Sequence, residues 1–464
     1  MTMTELTVET TEIPGLLVLR LPVHTDSRGW FKENWQREKM TALGLPDFGP
    51  VQNNVSFNDQ RGATRGIHAE PWDKLVSVVT GRIFGAWVDL REGESFGRVV
   101  TVEMGPEASV FVPRGVGNSY QTLEDATAYS YLVNDHWSPA ARESYTFVHL
   151  ADPTLAIQWP IPLDDAELSE ADQVHPQLQD VEPFPPLRPL ILGAGGQVGQ
   201  ALVELLPGAD ARGRDEVDLA DPDLENALDW RSYDVVYNAA AYTAVDDAET
   251  DDGRRRAWQT NVAGVARLVE VARRHRLTVV HFSTDYVFDG VRESHDEDEP
   301  MAPLGVYGQT KAAGDVLVAT LPSHYILRTS WVIGSGGNFV STMARLADQG
   351  VSPSVVDDQV GRLSFTRDLA RAAYHLVSSG AEAGTYNVTS QGPAASWADI
   401  AAEVFRIRGR DPADVTRVST EEYAAGKAMA PRPRQSLLPL DRLTATGFEP
   451  SDAGVALNEY LSGL

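Results

Sequence analysis

The chain has 464 residues, 42% of them hydrophobic, and a formal net charge of −27 at pH 7. This length favours two or three domains over a single core. The negative charge argues against nucleic-acid or anionic-membrane binding as a bulk activity. Because the chain contains no cysteine, neither disulfides nor thiolate chemistry are available to it.

We do not expect the N-terminal segment to be a signal peptide. Residues 1–12 contain no basic run and no apolar run. No stretch of the chain approaches the ~18 consecutive apolar residues that a transmembrane helix needs. We therefore expect a cytoplasmic enzyme.

Residues 13–160 read as many short strands that are separated by turns rich in Gly, Asn and Asp. Apolar and polar residues alternate within these runs, which is typical of antiparallel β structure. Clear examples are 75–80, 83–90, 99–103 and 109–112. Since no long helical pattern interrupts them, we expect a barrel or a sandwich.

A proline-dense segment, residues 181–189, follows these strands. Its composition is unfavourable for both strand and helix and predicts a semi-rigid linker. We place an N-terminal domain at 1–182, the linker at 183–189 and a C-terminal domain at 190–464.

The second half alternates between strand and helix patterns. Strands are predicted at 190–192, 235–238 and 277–282, and helices at 198–206 and 254–275. This alternation indicates an α/β domain with a parallel, doubly wound sheet.

A glycine-rich loop lies between the first of these strands and the first helix. Gly193, Gly196 and Gly199 permit a tight turn and a close approach of the backbone to a pyrophosphate at the helix N-terminus. Their GxxGxxG spacing is common in short-chain dehydrogenase/reductases, although a glycine-rich turn without a ligand is the alternative. The predicted cofactor contacts are Gly193, Gly196, Gln197, Val198, Gly199, Arg212, Asp218, Ala240, Ala241, Tyr307 and Lys311.

The end of the second strand bears on the choice of cofactor. An acidic residue there would favour NAD, whereas an arginine would accommodate a 2′-phosphate. Arg212 and Arg214 at this position favour NADPH. Solvated loop arginines are a commoner explanation, so NADH stays open.

Three residues have the chemistry of a ketone reductase. Tyr307 and Lys311 are four residues apart and would share one face of a helix, where the ammonium would lower the pKa of the phenol. Thr284 ends a predicted strand and could donate a hydrogen bond to the substrate oxygen. A surface pair of no catalytic importance is the alternative for Tyr307 and Lys311.

Five motifs together resemble the dTDP-4-dehydrorhamnose reductases over about residues 190–450. They are NAAAYTAVD (238–246), STDYVFDG (283–290), YGQTK (307–311), LRTSW (327–331) and VDDQVG (356–361). The resemblance implies a Rossmann-type domain with a small substrate lobe, which reduces the C4 ketone of dTDP-4-dehydro-L-rhamnose with NAD(P)H. It assigns catalysis to Thr284, Tyr307 and Lys311, and sugar contacts to Tyr286 and Trp331. The magnesium-binding glutamates known in that family have no match here, and no metal is predicted.

Motifs in the first half resemble the dTDP-4-dehydrorhamnose 3,5-epimerases, which have a cupin-type fold, over about residues 13–180. They include HTDSRG (24–29), QNN (52–54), RGIH (65–68), KLV (74–76), VDLR (88–91) and DPTLAIQWP (152–160). The resemblance implies that His68 is a base oriented by Asp172 and that Tyr131 is the opposing acid. It implies substrate contacts from Arg28, Gln52, Asn54, Arg65 and Lys74, and a homodimer.

Without this resemblance, a single strand histidine such as His68 is more often structural. A metal cupin is not expected, because no histidine lies two residues from His68. The family usually carries a second active-site histidine where this chain has Asn118, which could still contact the substrate but could not take a proton at neutral pH.

Three interpretations therefore stay open. The chain could be a bifunctional enzyme that makes dTDP-L-rhamnose. It could be an active reductase with an altered or inactive cupin domain. It could also be a non-catalytic protein that binds a nucleotide sugar or a dinucleotide for regulation or assembly.

Overall fold

The computed structural model describes residues 5–464, apart from the side chain of Ala140. Two compact units divide between Pro186 and Leu187. The first four residues of the predicted domain 1–182, and of the segment 1–12, lie outside the described residues. Within these, no helix combines the length and the apolar character needed to cross a membrane.

The N-terminal unit is built almost entirely of strands, with one α-helix among its described residues. These elements are β1 (Thr7–Thr10), β2 (Leu17–Arg20), β3 (His24–Asp26), β4 (Gly29–Phe31), α1 (Arg37–Ala42), β5 (Gln52–Asn58), β6 (Thr64–Ala69), β7 (Lys74–Thr80), β8 (Ile83–Asp89), β9 (Val99–Met104), β10 (Ala108–Val112), β11 (Val116–Thr122), β12 (Thr127–Val133) and β13 (Thr146–Phe147).

Two antiparallel sheets form this unit. One has the strand order β1-β2-β10-β7-β12-β5 and the other has the order β13-β6-β11-β8-β9. Val76 and Val110 from the first sheet share one buried cluster with Trp87 and Tyr120 from the second. The core therefore lies between the sheets, and the cupin-like all-β fold is confirmed.

The predicted linker differs from the structure at both ends. Phe184 is buried, and its backbone N–H donates to the carbonyl of Leu90 at 2.6 Å, so it packs as part of the N-terminal unit. Arg188 and Pro189 already belong to the first strand of the C-terminal unit. A proline is tolerated there because the first residues of a strand need not donate to the sheet.

The C-terminal unit alternates strands and helices. They are β14 (Arg188–Leu192), α2 (Gln197–Leu205), β15 (Asp210–Arg212), β16 (Tyr233–Asn238), α3 (Asp251–Trp258), α4 (Val265–His275), β17 (Thr278–Thr284), α5 (Val306–Val318), β18 (His324–Thr329), β19 (Val332–Ile333), α6 (Phe339–Asp348), β20 (Ser354–Val356), β21 (Val360–Gly361), β22 (Ser364–Phe365), α7 (Thr366–Ser378), β23 (Gly384–Asn387), β24 (Ala395–Ser396), α8 (Trp397–Ile407), β25 (Thr416–Val418), α9 (Thr420–Ala424), α10 (Asp441–Thr444) and α11 (Ala453–Ser462).

Six of these strands form a parallel sheet in the order β15-β14-β16-β17-β18-β23. Leu190 and Leu192 pack with α4 and α5 on one face, while Ile191 packs with α2 and α7 on the other. A strand that is apolar at consecutive positions is therefore covered on both sides. This confirms the doubly wound α/β class, and a third buried cluster from α6, α8 and α11 forms a smaller lobe.

The helix predicted at 254–275 is interrupted. A π-helical segment, Gln259–Gly264, separates α3 from α4. Within it, the Asn261 amide donates to the Tyr242 carbonyl and to the Thr310 hydroxyl, both at 3.0 Å. The wider turn is consistent with this inward orientation of a polar side chain, a common use of π segments near functional sites.

Candidate active sites

A cavity of about 800 Å³ opens in the N-terminal unit, lined by residues of both sheets. His68 reaches it from β6 in the five-stranded sheet, and Tyr131 reaches it from β12 in the six-stranded sheet. The predicted base and the predicted acid therefore approach the same space from opposite sides.

His68 and Asp172 are brought together across 104 residues of chain. The ring Nε2 of His68 lies 2.9 Å from Oδ1 of Asp172, and the histidine side chain is 33% exposed whereas the aspartate is 6% exposed. Burial would raise the pKa of Asp172, but the hydrogen bond and charge of His68 outweigh it and lower that pKa. An ionised carboxylate fixes the proton of a neutral His68 on Nε2, so Nδ1 is the nitrogen able to accept a proton.

The sequence analysis missed His175. Its Nε2 lies 3.2 Å from the same Asp172 oxygen, and its ring stacks on Phe147 at 4.7 Å. The ligand atoms of His68, Asp172 and His175 all lie within 4.8 Å of one another, the spacing of a group that could hold a metal ion. Two N–H donors that share one carboxylate oxygen account for this spacing without an ion. The residues next to His68 in the sequence could not indicate this second histidine, because it follows Asp172 by three residues.

Asn118 pairs with His68 across β11 and β6. Its Oδ1 accepts hydrogen bonds from Trp87 Nε1 and from the Tyr129 hydroxyl, both at 3.0 Å. Trp87 and Tyr129 are buried. Asn118 therefore accepts hydrogen bonds from two buried donors, which is a structural reason for an asparagine at this position. Asn118 also lines the cavity.

Lys74 and Tyr131 lie close together in the cavity. The Lys74 ammonium is 5.7 Å from the centre of the Tyr131 ring and pairs with Glu70 at 2.6 Å. Burial, followed by the charge of Glu70, raises the pKa of Tyr131, and Arg65 opposes this shift. Tyr131 is thereby kept protonated, as an acid must be before it donates.

The predicted substrate contacts separate into two groups. Arg65 and Lys74 line the cavity, together with Arg142, which the sequence analysis did not single out. Arg28 is 88% exposed on the β3–β4 hairpin and pairs with Asp26.

Gln52 and Asn54 also lie outside the cavity lining. Gln52 donates to Asn54 at 2.9 Å on β5. Within one chain, the structure therefore does not bring Arg28, Gln52 and Asn54 to His68.

The glycine loop of the C-terminal unit joins β14 to α2 as predicted. Gly193 has φ +76°, and a Cβ there would lie 2.6 Å from the backbone nitrogen of Ala240. A Cβ on Gly199 would collide with the Gly193 carbonyl oxygen, whereas a Cβ on Gly195 would meet nothing within 4 Å. The loop is therefore packed tightly against β16 and α2 but open above, which fits the approach of a pyrophosphate to the α2 N-terminus.

The other predicted cofactor contacts surround this loop. Gln197 and Val198 begin α2, and Ala240 and Ala241 follow the carboxyl end of β16. Asp218 is exposed and accepts from the backbone of Ala220. These predicted cofactor contacts therefore follow the carboxyl ends of β14, β15 and β16, the edge of the sheet where ligands of such folds bind.

Arg212 ends β15, and its carbonyl accepts from the backbone N–H of Gly193 at 3.0 Å. Its guanidinium donates to Asp210 at 2.9 Å and to Glu216 at 3.2 Å. Arg212 is thus held beside the glycine loop, and Arg214 is exposed two residues later.

Thr284, Tyr307 and Lys311 meet at the carboxyl end of β17. Tyr307 and Lys311 both lie on α5, and Thr284 is hydrogen-bonded to Tyr307. Burial, then the charge of Asp285, raises the pKa of Tyr307 well above its ordinary value. The pKa of Tyr307 is therefore raised rather than lowered as the sequence predicted, because burial is the largest influence on it.

Lys311 lies in a buried polar row. Its Nζ donates to the carbonyl of Phe282 at 2.7 Å and lies 3.1 Å from Nε2 of His281. Burial lowers the pKa of Lys311 to about 8 and lowers that of His281 further below its usual range. His281 is therefore a neutral neighbour of the lysine.

Asp285, to which the sequence analysis gave no role, lies next to Thr284. It accepts hydrogen bonds from Thr284 at 2.9 Å and from Ser436 at 2.5 Å. Burial raises the pKa of Asp285 to about 6, although these hydroxyls oppose the shift. Asp285 fixes the orientation of the Thr284 hydroxyl.

The predicted sugar contacts lie in different surroundings. Tyr286 packs edge-on against Tyr307, with ring centres 5.9 Å apart, and is hydrogen-bonded to Arg432. Arg432 also pairs with Asp246 at 2.9 Å. Trp331 stacks on Trp397 at 3.9 Å in the smaller lobe. From the sequence, Arg432 is only one of two arginines in the segment PRPRQ (431–435), with nothing to assign it to the site.

A cavity lined by His68, Asp172 and Tyr131 in an all-β unit, followed by a glycine loop and a Thr284–Tyr307–Lys311 group in a doubly wound unit, defines a two-unit enzyme. The family model "RmlD substrate binding domain" matches residues 187–464, and the model "dTDP-4-dehydrorhamnose 3,5-epimerase" matches residues 10–180. The chain belongs to the RmlD family through its C-terminal unit and to the dTDP-4-dehydrorhamnose 3,5-epimerase family through its N-terminal unit. Both resemblances deduced from the motifs are confirmed.

Similar proteins match each unit over nearly their whole length. A "Protein RmlC homolog" of Streptococcus pyogenes is 52% identical over 38% of this chain and 92% of its own. A "dTDP-4-dehydrorhamnose reductase" of Aggregatibacter actinomycetemcomitans is 38% identical over 57% of this chain and 95% of its own. The solved structure of the reductase of that name from Bacillus anthracis, in complex with NADP, is 32% identical, has a TM-score of 0.56 and covers 60% of this chain and 100% of its own.

Proposed function

We propose that the chain is a bifunctional enzyme that converts dTDP-4-dehydro-6-deoxy-D-glucose into dTDP-L-rhamnose. The N-terminal unit inverts C3 and C5, and the C-terminal unit reduces the C4 ketone. The observation that carries this proposal is that one chain holds both a His68–Asp172 pair in a cavity and a Thr284–Tyr307–Lys311 group beside a dinucleotide-type loop.

The first reaction is a proton exchange next to a ketone. The C4 carbonyl acidifies the C3 and C5 protons, so a base can remove one and leave an enolate. His68 takes this proton on Nδ1, and Asp172 stabilises the imidazolium that forms. Tyr131, which its surroundings keep protonated, returns a proton from the opposite side of the cavity. Removal from one face and return on the other inverts the carbon.

Cationic groups on the cavity wall suit an anionic substrate despite the net charge of the chain. We assign contacts with the nucleotide diphosphate or the enolate to Arg65 and Lys74, and add Arg142 from the structure. Asn118 supplies a neutral polar contact. We also assign substrate contacts to Arg28, Gln52 and Asn54, as the resemblance implies. Within a single chain these three residues lie outside the cavity.

The second reaction uses a bound nicotinamide cofactor, which supplies a hydride to the C4 ketone. We propose NADPH, with NADH as the alternative, because the open glycine loop accepts a dinucleotide and Arg212 lies beside it. Tyr307 donates its phenolic proton to the oxygen that gains charge. The Thr284 hydroxyl donates to Asp285 in this structure, so Thr284 can donate to the same oxygen only when its hydroxyl turns away from Asp285. Lys311 supplies positive charge at the base of the site. Tyr286 and Trp331 are assigned to the sugar.

A homodimer is a further part of the proposal. β5 is an edge strand of the six-stranded sheet, and its Val55 and Phe57 are 64% and 56% exposed. An apolar open edge favours pairing with a second copy. Light scattering should find twice the chain mass, and Val55→Lys should shift the measured mass towards that of the monomer.

We place the enzyme in the cytoplasm because both reactions use nucleotides that cells keep there.

The decisive experiment supplies the purified chain with dTDP-4-dehydro-6-deoxy-D-glucose and NADPH in deuterium oxide, with no other enzyme. NMR of the product should show dTDP-L-rhamnose deuterated at C3 and C5. If NADPH is oxidised only after a separate epimerase is added, the N-terminal unit is not an epimerase. If NADPH is not oxidised even then, the reductase assignment is wrong.

A further inference from the structure

The Asp172 carboxylate has two histidine partners, although catalysis as proposed uses only one. Nε2 of His68 and Nε2 of His175 lie 2.9 Å and 3.2 Å from the same oxygen, Oδ1. Since an ionised carboxylate only accepts, both rings donate to it through Nε2–H. The two imidazoles therefore compete for one acceptor.

Aromatic packing holds this arrangement in place. Phe147 on β13 is paired with His68 on β6, and its ring meets His68 edge-on at 5.2 Å. The same ring stacks on His175 at 4.7 Å. The His175 side chain is 11% exposed, much less than that of His68, so His175 lies behind the base rather than in front of it.

The charges around His175 keep it a neutral donor. It faces Asp172 on its own loop, His68 on β6 and His149 in the segment that follows β13. Burial, then the charge of His68, lowers the pKa of His175, although Asp172 opposes this shift. A neutral N–H donor stabilises the carboxylate without adding a second positive charge beside His68.

We propose that His175 is a positioning residue that shares the Asp172 oxygen with His68 and so limits how strongly Asp172 holds a protonated base. This inference rests on the proposed epimerase function. A base that serves two carbons in turn must release each proton before it can act again. An Asp172 that was free to pair with His68 alone would stabilise the imidazolium and delay that release.

The test compares His175→Phe with His175→Gln in the full chain. The phenylalanine preserves the stacking on Phe147 but has no donor, whereas the glutamine amide places an N–H near the position of Nε2. His136→Phe is the matched control, because His136 is exposed and lies outside the cavity. Entry of solvent deuterium into the keto sugar is measured from pH 5 to pH 8, with no cofactor present.

We expect the acid limb of the exchange profile to move up by about one pH unit in His175→Phe, while the rate on the plateau changes less than about twofold. His175→Gln should restore the limb, and His136→Phe should leave it in place. If His175→Phe does not fold, His175→Ala takes its place.

An equal loss of rate at every pH, or an unshifted limb in an active variant, would overturn the role of His175. Absence of exchange in the unmodified chain would instead overturn the epimerase function itself.

Discussion

Asp172 in the N-terminal unit and Asp285 next to Thr284 are both buried carboxylates that receive side-chain hydrogen bonds, yet their pKa values shift in opposite directions. The pKa of Asp172 is lowered, whereas that of Asp285 is raised to about 6. Burial opposes ionisation at both. Asp172 has a histidine partner that can carry a positive charge, while the side-chain partners of Asp285, the hydroxyls of Thr284 and Ser436, carry none. The deeper burial of Asp285 and the chargeable partner of Asp172 therefore act together to set the two directions.

The site in the N-terminal unit and the site in the C-terminal unit also differ in their exposure to solvent. His68 is partly exposed in an open cavity, where a base can exchange its proton with water. Thr284 and Lys311 are buried, where water is excluded from a hydride transfer. Variants that separate proton exchange from reduction test this contrast.

The largest effect is expected from Tyr307→Phe. The substitution removes the proton donor of the buried site but keeps its ring, so reduction of a pre-epimerised sugar should fall about a thousandfold. Cofactor binding, followed by NADPH fluorescence, and deuterium exchange in the N-terminal unit should both survive. Turnover within tenfold of the unmodified enzyme would contradict the assignment of Tyr307.

His68→Ala should have the next largest effect, confined to the other unit. Loss of the base should slow deuterium entry at least about a hundredfold, while reduction of a pre-epimerised sugar stays unchanged. His136→Ala provides the control for removal of an imidazole. Exchange that persists at its original rate would mean that another group is the base.

The pH dependence of reduction should differ from that of exchange. Because burial lowers the pKa of Lys311 to about 8, the ammonium loses its proton as the pH rises through this value. Reduction should then fall about tenfold per pH unit above pH 8, without a matching loss of exchange. Lys311→Arg, which keeps its charge, should remove this limb. A limb that begins only near pH 10 would show that Lys311 is not perturbed.

The smallest effect on rate is expected from Asn118→His, which restores the residue usual in the epimerase family. Trp87 and Tyr129 both donate to Asn118 Oδ1, and a neutral imidazole has only one acceptor nitrogen. One buried donor would be left unpaired, at a cost of about 1–3 kcal/mol of stability. Denaturant unfolding should detect this, with exchange changed by less than about fivefold. A large gain in exchange would show that Asn118 limits the epimerase.

Much of the architecture follows from local pattern. The alternation in residues 75–112 predicts β7 to β10 to within two residues at each end, and the positions of Gly193 and Gly199 predict the β14–α2 loop. By contrast, the helix predicted at 254–275 is broken by a π segment whose Asn261 bonds residues far away in sequence. No periodicity within 254–275 carries that information.

The sequence by itself determined the two fold classes, the glycine loop and, through resemblance, the identities of His68, Asp172, Thr284, Tyr307 and Lys311. Only the tertiary structure decided that His175 shares Asp172, that Lys311 lies within hydrogen-bond distance of His281, and that Arg28 lies outside the cavity. The physical reason is the distance along the chain over which each effect acts. Strand alternation and glycine dihedral angles act over a few neighbouring residues, whereas proton affinity depends on burial and on partners that folding brings together from distant parts of the chain.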